Sequence, residues 1–313
     1  MPEPKVTVIT GPTASGKTAL ALNTAEKIEQ NTGKIVEIIS ADSRQVFKHI
    51  PITTAQPSTE ELNRFKHHFV NTLELNEEFN AGDFGSEART LIDRLFSEGR
   101  IPLVVGGSGL YINSLVYGFF EIGSDDKLLD EKFKTKREEI YKAKEEKGFE
   151  YLLAELKTHD PVTFDKMKEI KERRVIRALE VFYVTGIPIS VHHKKKIKIN
   201  FLADMYGIQM ERSELYAGIN NRTEVMLSNG MLEEIESLKS KGYHYRTHNS
   251  LNTVGAREIF DFLDGVITKE RMTELIKQNT RRFAKRQLTW FRRDENIKWI
   301  NSEGIDLKVT GVE

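Results

Sequence analysis

The chain has 313 residues, 39% hydrophobic and 30% charged, with 47 basic and 47 acidic side chains and a formal net charge of zero. That length suits one large or two modest domains with a substantial buried core. There is no cysteine, which excludes disulfides and thiolate zinc sites, and no apolar run is long enough for a spanning helix or a secretory signal. Taken in chain order, Lys5-Val6-Thr7-Val8-Ile9-Thr10 reads as a buried strand that enters a glycine-rich turn. A helix is predicted from Thr18 to Gln30, stopped by Asn31-Thr32-Gly33. Ile35 to Ser40 is a second strand. Residues 84–98 are helical, with Phe84, Ala88, Leu91, Ile92 and Leu95 on one stripe and Gly99 at the end. Ile101 to Val105 is a third strand, closed by Gly106-Gly107. Near Gly123 the character changes, and residues 125–185, rich in Lys and Glu, read as a helical insertion ended by Gly186-Ile187-Pro188. Phe201 to Gln209 returns to a strand pattern, Arg212 to Phe291 is mostly helical, and Ile297 to Ile300 is a last strand.

The turn after the first strand, Gly11-Pro12-Thr13-Ala14-Ser15-Gly16-Lys17-Thr18, matches G-x-x-x-x-G-K-[ST] between a strand and a helix. Successive backbone N–H groups surround phosphate oxygens in such a turn, and the helix N-terminus favours negative charge. Lys17 adds a full positive charge, and Thr18 is placed to ligate Mg²⁺. The loop names a polyphosphate ligand without saying which one. With the strand–helix alternation it gives the fold class: α/β, a P-loop NTPase-like parallel sheet flanked by helices, with a helical insertion domain. The domain reading is 1–122 for the first part of the core, 123–196 for the insertion, and 197–313 for the second part of the core.

Ligands in open α/β sheets bind at the C-terminal strand ends. One end here is Ser40-Ala41-Asp42-Ser43-Arg44-Gln45, and another is Gly106-Gly107-Ser108-Gly109-Leu110-Tyr111. Asp42 and Ser108 are therefore expected near the phosphate loop. On residue type alone Asp42 is equally a general base or metal-shell carboxylate and a helix N-cap.

The chain resembles the bacterial tRNA dimethylallyltransferases, also called IPP transferases, which prenylate the adenosine beside the anticodon. The resemblance is carried by Gly11–Thr18, by Ile39 to Val46, by Val105 to Tyr111, by Arg174-Val175-Ile176-Arg177-Ala178-Leu179-Glu180-Val181, and by Thr280 to Phe291. It implies that the loop holds dimethylallyl pyrophosphate, with ATP not the reacting substrate, and that Asp42 is the general base. It implies catalytic parts for Ser108, Lys17 and Arg222, the last as a pyrophosphate contact. It also implies contact with the anticodon stem-loop by Asp42, Ser43, Arg44, Gln45, Ser108, Arg174 and Arg177. The usual hydroxyl residue after Gly-Gly is Thr, where this chain has Ser108. Other departures are Ile52-Thr53-Thr54-Ala55-Gln56-Pro57, which lacks the common lysine, Gly218 in place of a frequent arginine, and a missing Asn-Asp pair before Arg174.

At about 100° per residue, Arg281, Lys285 and Arg292 form one helical stripe and Arg282, Arg286 and Arg293 the next. No acid interrupts this face, which points to RNA phosphate contact through Arg281, Arg282, Lys285 and Arg286. Phe283, Ala284, Leu288, Trp290 and Phe291 lie on the opposite side, expected in the core, and Gln287 in that arc requires a hydrogen-bond partner. Arg177 and Glu180 read as a surface pair unless Arg177 meets RNA. His192-His193-Lys194-Lys195-Lys196 reads as a mobile basic link. His67-His68 is expected to be structural or RNA-facing in preference to metal-binding.

The implied reaction is transfer of a dimethylallyl group to N6 of the adenosine at position 37 of tRNAs reading codons that start with U. The adenosine is flipped out, N6 attacks the first carbon of the donor, and Asp42 takes the amino proton, while Lys17, Arg222, the loop amides and Mg²⁺ hold the departing pyrophosphate. A monomeric, cytoplasmic enzyme without a membrane partner is expected. The competing readings are an AMP isopentenyltransferase, a P-loop small-molecule kinase, and an RNA-binding P-loop protein without activity.

Overall fold

A computed structural model describes residues 3–118, 127–194 and 197–301. The expected change of character at Gly123 and the link residues Lys195 and Lys196 lie outside the described residues. By internal contacts the chain divides into one unit of Met1–Val116 with Ile199–Glu313 and a second of Tyr117–Lys198.

The first unit begins with β1 (Lys5–Thr10), α1 (Lys17–Thr32) and β2 (Val36–Ser40). The short α2 (Pro51–Thr54) and α3 (Thr59–Arg64) follow, then β3 (His67–His68), α4 (Ala81–Ser97), β4 (Ile101–Gly106) and α5 (Gly109–Tyr117). The second unit carries α6 (Lys127–Lys147), α7 (Phe149–His159), α8 (Pro161–Lys166), α9 (Glu172–Thr185) and α10 (Ile189–His192). The first unit resumes with β5 (Leu202–Ile208), α11 (Arg212–Ser228), α12 (Met231–Ser240), α13 (Ala256–Leu263), α14 (Lys269–Phe291) and β6 (Ile297–Ile300).

The six strands form one sheet in the order β3-β2-β4-β1-β5-β6, with every pairing parallel. The α/β reading with a parallel, helix-flanked sheet is therefore correct. In β1 every residue after Lys5 is buried, as the Val-Thr-Val-Ile run requires of a central strand covered on both faces. Leu20, Ala25 and Ile28 of α1 close one side against Ile9, Ile38 and Leu103 of the sheet. A separate core joins Ile50 and Leu75 to Phe260, Met272 and Ile276. Helix α4 starts at Ala81, three residues before the apolar stripe. The Asn80 side chain accepts hydrogen bonds from the Gly82 and Asp83 N–H groups, and the Asp83 carboxylate accepts the Asn80 N–H, a capping box that nucleates the first turn.

β3 is a short edge strand that the sequence pattern did not predict. Ile38 pairs with His67 and Ile39 with His68. His68 reaches the buried Glu37, which Arg100 and Lys66 also neutralise. Burial alone would raise the Glu37 carboxyl, but hydrogen bonds from His68 and Arg100 bring it below its ordinary value. The His67 ring bonds the Phe65 carbonyl. Both histidines thus have a partner within this edge of the sheet, His67 in its own loop and His68 on β2.

In the second unit, α6, α7 and α9 enclose Ile140, Leu152, Leu156, Val175 and Leu179. Glu180 is 2% exposed and accepts from Arg137 Nε at 2.6 Å and Arg177 Nη1 at 3.2 Å. The expected surface pair is thus a buried carboxylate held by two half-exposed arginines. His192 is buried and meets Thr185 Oγ1, so the expected basic link begins inside a folded helix. No helix among the described residues is long and apolar enough to cross a membrane.

Candidate functional site

The sheet order sets the site. β4 lies between β1 and β2, so three neighbouring strands deliver their C-terminal ends to one edge. β1 delivers Gly11–Thr18, β4 delivers Gly106–Ser108, and β2 delivers Ala41–Gln45. Two strand spacings separate the phosphate loop from Asp42, roughly 10 Å at about 4.8 Å each.

Within the loop, Ala14 has φ 62° and Gly16 φ 81°, both left-handed, which turns the backbone into a concave nest at the start of α1. Gly11, Pro12 and Ser15 are buried, Thr13, Ala14 and Lys17 half-buried, and Gly16 and Thr18 exposed. Ser15 Oγ is buried with no hydrogen-bond partner among the described residues. Lys17 Nζ donates to the Pro12 carbonyl at 2.6 Å, which keeps the ammonium folded over the nest. Burial pulls the Lys17 pKa down to about 7; the nearby Arg222 guanidinium pushes the same way, and Asp42 pushes back. Arg222, on α11, is itself lowered by burial and sustained by Asp42. The two cations and the carboxylate thus share one electrostatic neighbourhood, yet none of the three is in an ion pair within 4.0 Å among the described residues. Both cations are desolvated with no anion close enough to neutralise them, a state that favours an incoming polyanion.

Asp42 does two things. Its Oδ1 accepts from the N–H groups of Arg44 at 2.9 Å and Gln45 at 3.3 Å, which fixes the turn after β2. Its Oδ2 makes no hydrogen bond among the described residues. The cap reading and the base reading therefore fall on different oxygens of one carboxylate. Ser43 N–H donates to Ser108 Oγ at 3.0 Å, and Ser108 N–H donates to the Ala41 carbonyl at 3.2 Å, so Ser108 grips both sides of Asp42. Arg44 Nη1 donates to the Asn249 and Ser250 carbonyls. Gln45 turns inward: its Oε1 accepts from Ser40 and its Nε2 donates to the Ala55 carbonyl at 2.8 Å. Gln56 answers by donating to the Gln45 and Phe47 carbonyls at 2.9 and 2.8 Å. Tyr111, also within electrostatic reach of Asp42 and Arg44, has its hydroxyl pushed up by burial and stacks on Phe84 at 4.6 Å. Residue type gave no sign of this aromatic wall; its position three residues after Ser108 did.

Helices α11 and α14 pack beside the loop through Leu215, Ile219 and Ala284, with Ala14 against them. Gln287 of α14 is buried and bonds the Thr13 N–H and the Gly107 carbonyl, which supplies the partner its position demands. Arg282, Lys285 and Arg286 are exposed and form no ion pair among the described residues. Arg281 is half-buried, donating to Asn220 Oδ1 at 2.7 Å above the Tyr216 ring. Two expectations for this helix need correction. Phe283 and Trp290 are not core: they are 37% and 39% exposed. The helix also ends at Phe291 with Arg292 as its C-cap, so Arg293 lies beyond the predicted stripe. In the second unit Arg174 is exposed and Arg177 lies 4.9 Å over the Phe133 ring.

A family model described as IPP transferase matches residues 45–294. A tRNA dimethylallyltransferase of Acetivibrio thermocellus is 41% identical over 305 residues, 96% of this chain and 93% of the relative. Its counterpart from Natranaerobius thermophilus is 40% identical over 295 residues, 94% and 85% of the two chains. Among solved structures, a eukaryotic dimethylallyltransferase described in crystallographic snapshots acting on tRNA has a TM-score of 0.78 at 28% identity, covering 97% of this chain and 75% of that one.

Proposed function

Because the chain belongs to the IPP transferase family of tRNA dimethylallyltransferases, we propose that it moves a dimethylallyl group from dimethylallyl pyrophosphate to N6 of the adenosine at position 37 of tRNAs reading codons that start with U. The products are N6-(dimethylallyl)adenosine and pyrophosphate. The observation that carries this reading is the separation of charge along one sheet edge, with desolvated cations at the phosphate loop and a carboxylate with one open oxygen two strands away. A prenyl diphosphate lying along the edge puts its leaving group in the nest and its first carbon toward Asp42.

The diphosphate is held by the first-turn N–H groups of α1, by Lys17 and by Arg222. As N6 bonds to the first carbon, the carbon–oxygen bond breaks and its electron pair leaves on the diphosphate. Lys17 and Arg222 stabilise that charge more than they stabilise the ground state. The N6 proton passes to Asp42 Oδ2, while Oδ1 stays with the turn and fixes the carboxylate plane. Ser108, bonded to Ser43 and Ala41, holds the loop that carries this base. The exposed Thr18 hydroxyl, at the first turn of α1, would help to hold a magnesium ion. Such an ion would neutralise charge on the leaving group. Arg282, Lys285 and Arg286 offer phosphate contacts to the anticodon stem-loop, and Arg174 and Arg177 do so from the second unit. A cytoplasmic location agrees with a tRNA substrate.

The test is incubation of the protein with labelled dimethylallyl pyrophosphate, Mg²⁺ and undermodified tRNA, with AMP in a parallel tube, followed by nucleoside analysis. Label recovered as N6-(dimethylallyl)adenosine from tRNA is expected. Label on AMP alone, or on neither acceptor, refutes the proposal.

A further inference from the structure

Gln287 sits on a helix whose solvent side is basic, yet its own side chain is 7% exposed. Its Oε1 accepts the Thr13 N–H and its Nε2 donates to the Gly107 carbonyl, each at 2.8 Å. The first partner belongs to the phosphate loop after β1, the second to the loop after β4. Gly107 and Gln287 are matched in shape, since a Cβ at residue 107 would lie 2.4 Å from Gln287 Nε2. Contacts then continue from Gly107 to the carboxylate. Ser108 N–H meets the Ala41 carbonyl, and Ser43 N–H meets Ser108 Oγ, one on each side of Asp42. One amide therefore ties the loop that carries Lys17 to the loop that braces Asp42.

We propose that Gln287 is a positioning residue of the transfer reaction, fixing the phosphate loop at the distance and angle from Asp42 that in-line attack requires. This rests on the transferase reading above. The chemistry of the position is restrictive. One end of a single side chain must accept from an N–H and donate to a carbonyl, which an amide does and an ionised carboxylate does not. At residue 287 an ionised Glu keeps the Thr13 bond and repels the Gly107 carbonyl. A protonated Glu restores both bonds with nearly the same shape. A Leu restores neither, and leaves a buried N–H and a buried carbonyl unpaired.

The experiment compares wild type, Gln287→Glu and Gln287→Leu in the tRNA prenylation assay from about pH 5.5 to 8.5, with melting curves at each pH. Near pH 8 the Glu variant is expected to lose on the order of 10–100-fold in kcat while its KM for tRNA stays within about twofold of wild type. Relative to wild type it recovers as pH falls and its carboxyl takes up a proton, at temperatures where both are fully folded. The Leu variant loses at least as much and does not recover. A Glu variant as active as wild type at every pH, or a defect confined to the KM for tRNA, overturns the positioning role. So does a loss that only follows the melting curve. An active wild type beside an equally active Glu variant sinks this inference alone, whereas a wild type that labels no tRNA sinks the transferase reading and the positioning role together.

Discussion

Lys17 is the cation whose charge the site has made conditional. Burial, assisted by Arg222, lowers its pKa to about 7 from an ordinary 10.5. At pH 8 roughly nine in ten Lys17 side chains are then neutral before a ligand arrives. A bound diphosphate brings the ammonium back, so binding must draw a proton from solution, close to one per site at pH 8 and about half of one at pH 7. Each pH unit above 7 costs about 1.4 kcal/mol of binding, up to tenfold in affinity. The assay is calorimetric titration of inorganic pyrophosphate between about pH 6.5 and 9 in buffers of unlike ionisation enthalpy, beside a Lys17→Arg protein whose cation does not titrate there. The ligand's own protons are common to both proteins, so the difference in slope belongs to Lys17. Equal slopes and equal proton uptake would refute the reasoning. The empty protein should carry the converse signature. Between about pH 7 and 10.5 the unfolded chain keeps a proton on Lys17 that the folded chain sheds, so stability rises with pH across that window. The unfavourable contribution is complete below pH 7. Lys17→Met should therefore melt above wild type at pH 7, with the gap closing toward pH 10.

Asp42→Asn keeps the Oδ1 acceptor for Arg44 and Gln45 and removes the base together with the charge that sustains Lys17 and Arg222, so turnover on tRNA should fall by at least roughly 10²–10⁴-fold with the turn after β2 intact; near-normal turnover sinks the assignment. Removing Lys285 or Arg286, both exposed, should lower the slope of log affinity against log salt for tRNA by about 0.7–0.9 each, and an unchanged slope would place the RNA elsewhere. Glu180→Gln strips the charge that Arg137 and Arg177 share. Because those arginines are 43% and 46% exposed, water compensates in part. The expected cost is about 1–2 kcal/mol, below the ~3–5 of a fully buried pair, read by thermal melting and by protease sensitivity of residues 127–194. Gly218→Ala adds a Cβ 3.5 Å from the Ala14 carbonyl, an ordinary contact. It should stabilise α11 by about 0.5–1 kcal/mol, and a lower melting temperature would mean the helix is strained there.

The strands were legible because Val-Thr-Val-Ile and Ile-Pro-Leu-Val-Val have no other comfortable home than a covered parallel sheet. β3 was not, because two histidines become a strand only through pairing with β2 and the Glu37 carboxylate. The apolar stripe marks α4 only from Phe84, whereas the Asn80 and Asp83 capping box sets its first residue at Ala81. Helical angle places Phe283 and Trp290 opposite the basic stripes, yet burial depends on what packs against that side, and Trp290 lies over Gly109 while staying 39% exposed. Gln287 is the instructive case. A polar residue in an apolar arc announced that a partner was needed, but the partners lie 274 and 180 residues away and nothing local points to them. Likewise the phosphate loop was readable from spacing, whereas the approach of Arg222 to Lys17 came only through family resemblance.

The departures from the family pattern acquire a physical reading once the partners are visible. Gln56 donates to two carbonyls of the turn that begins at Asp42. A lysine at that position can reach the same oxygens with a charged group; the amide does so with none, and the return bond from Gln45 to Ala55 locks the turn without ionic help. Gly218 faces Ala14 one helical turn before Arg222. An arginine there would set a third cation beside two that already repel each other, since Arg222 helps to lower Lys17. It would attract diphosphate more strongly and depress Lys17 further. With glycine at 218, Lys17 stays poised near neutrality, and it is the arriving anion that restores its charge.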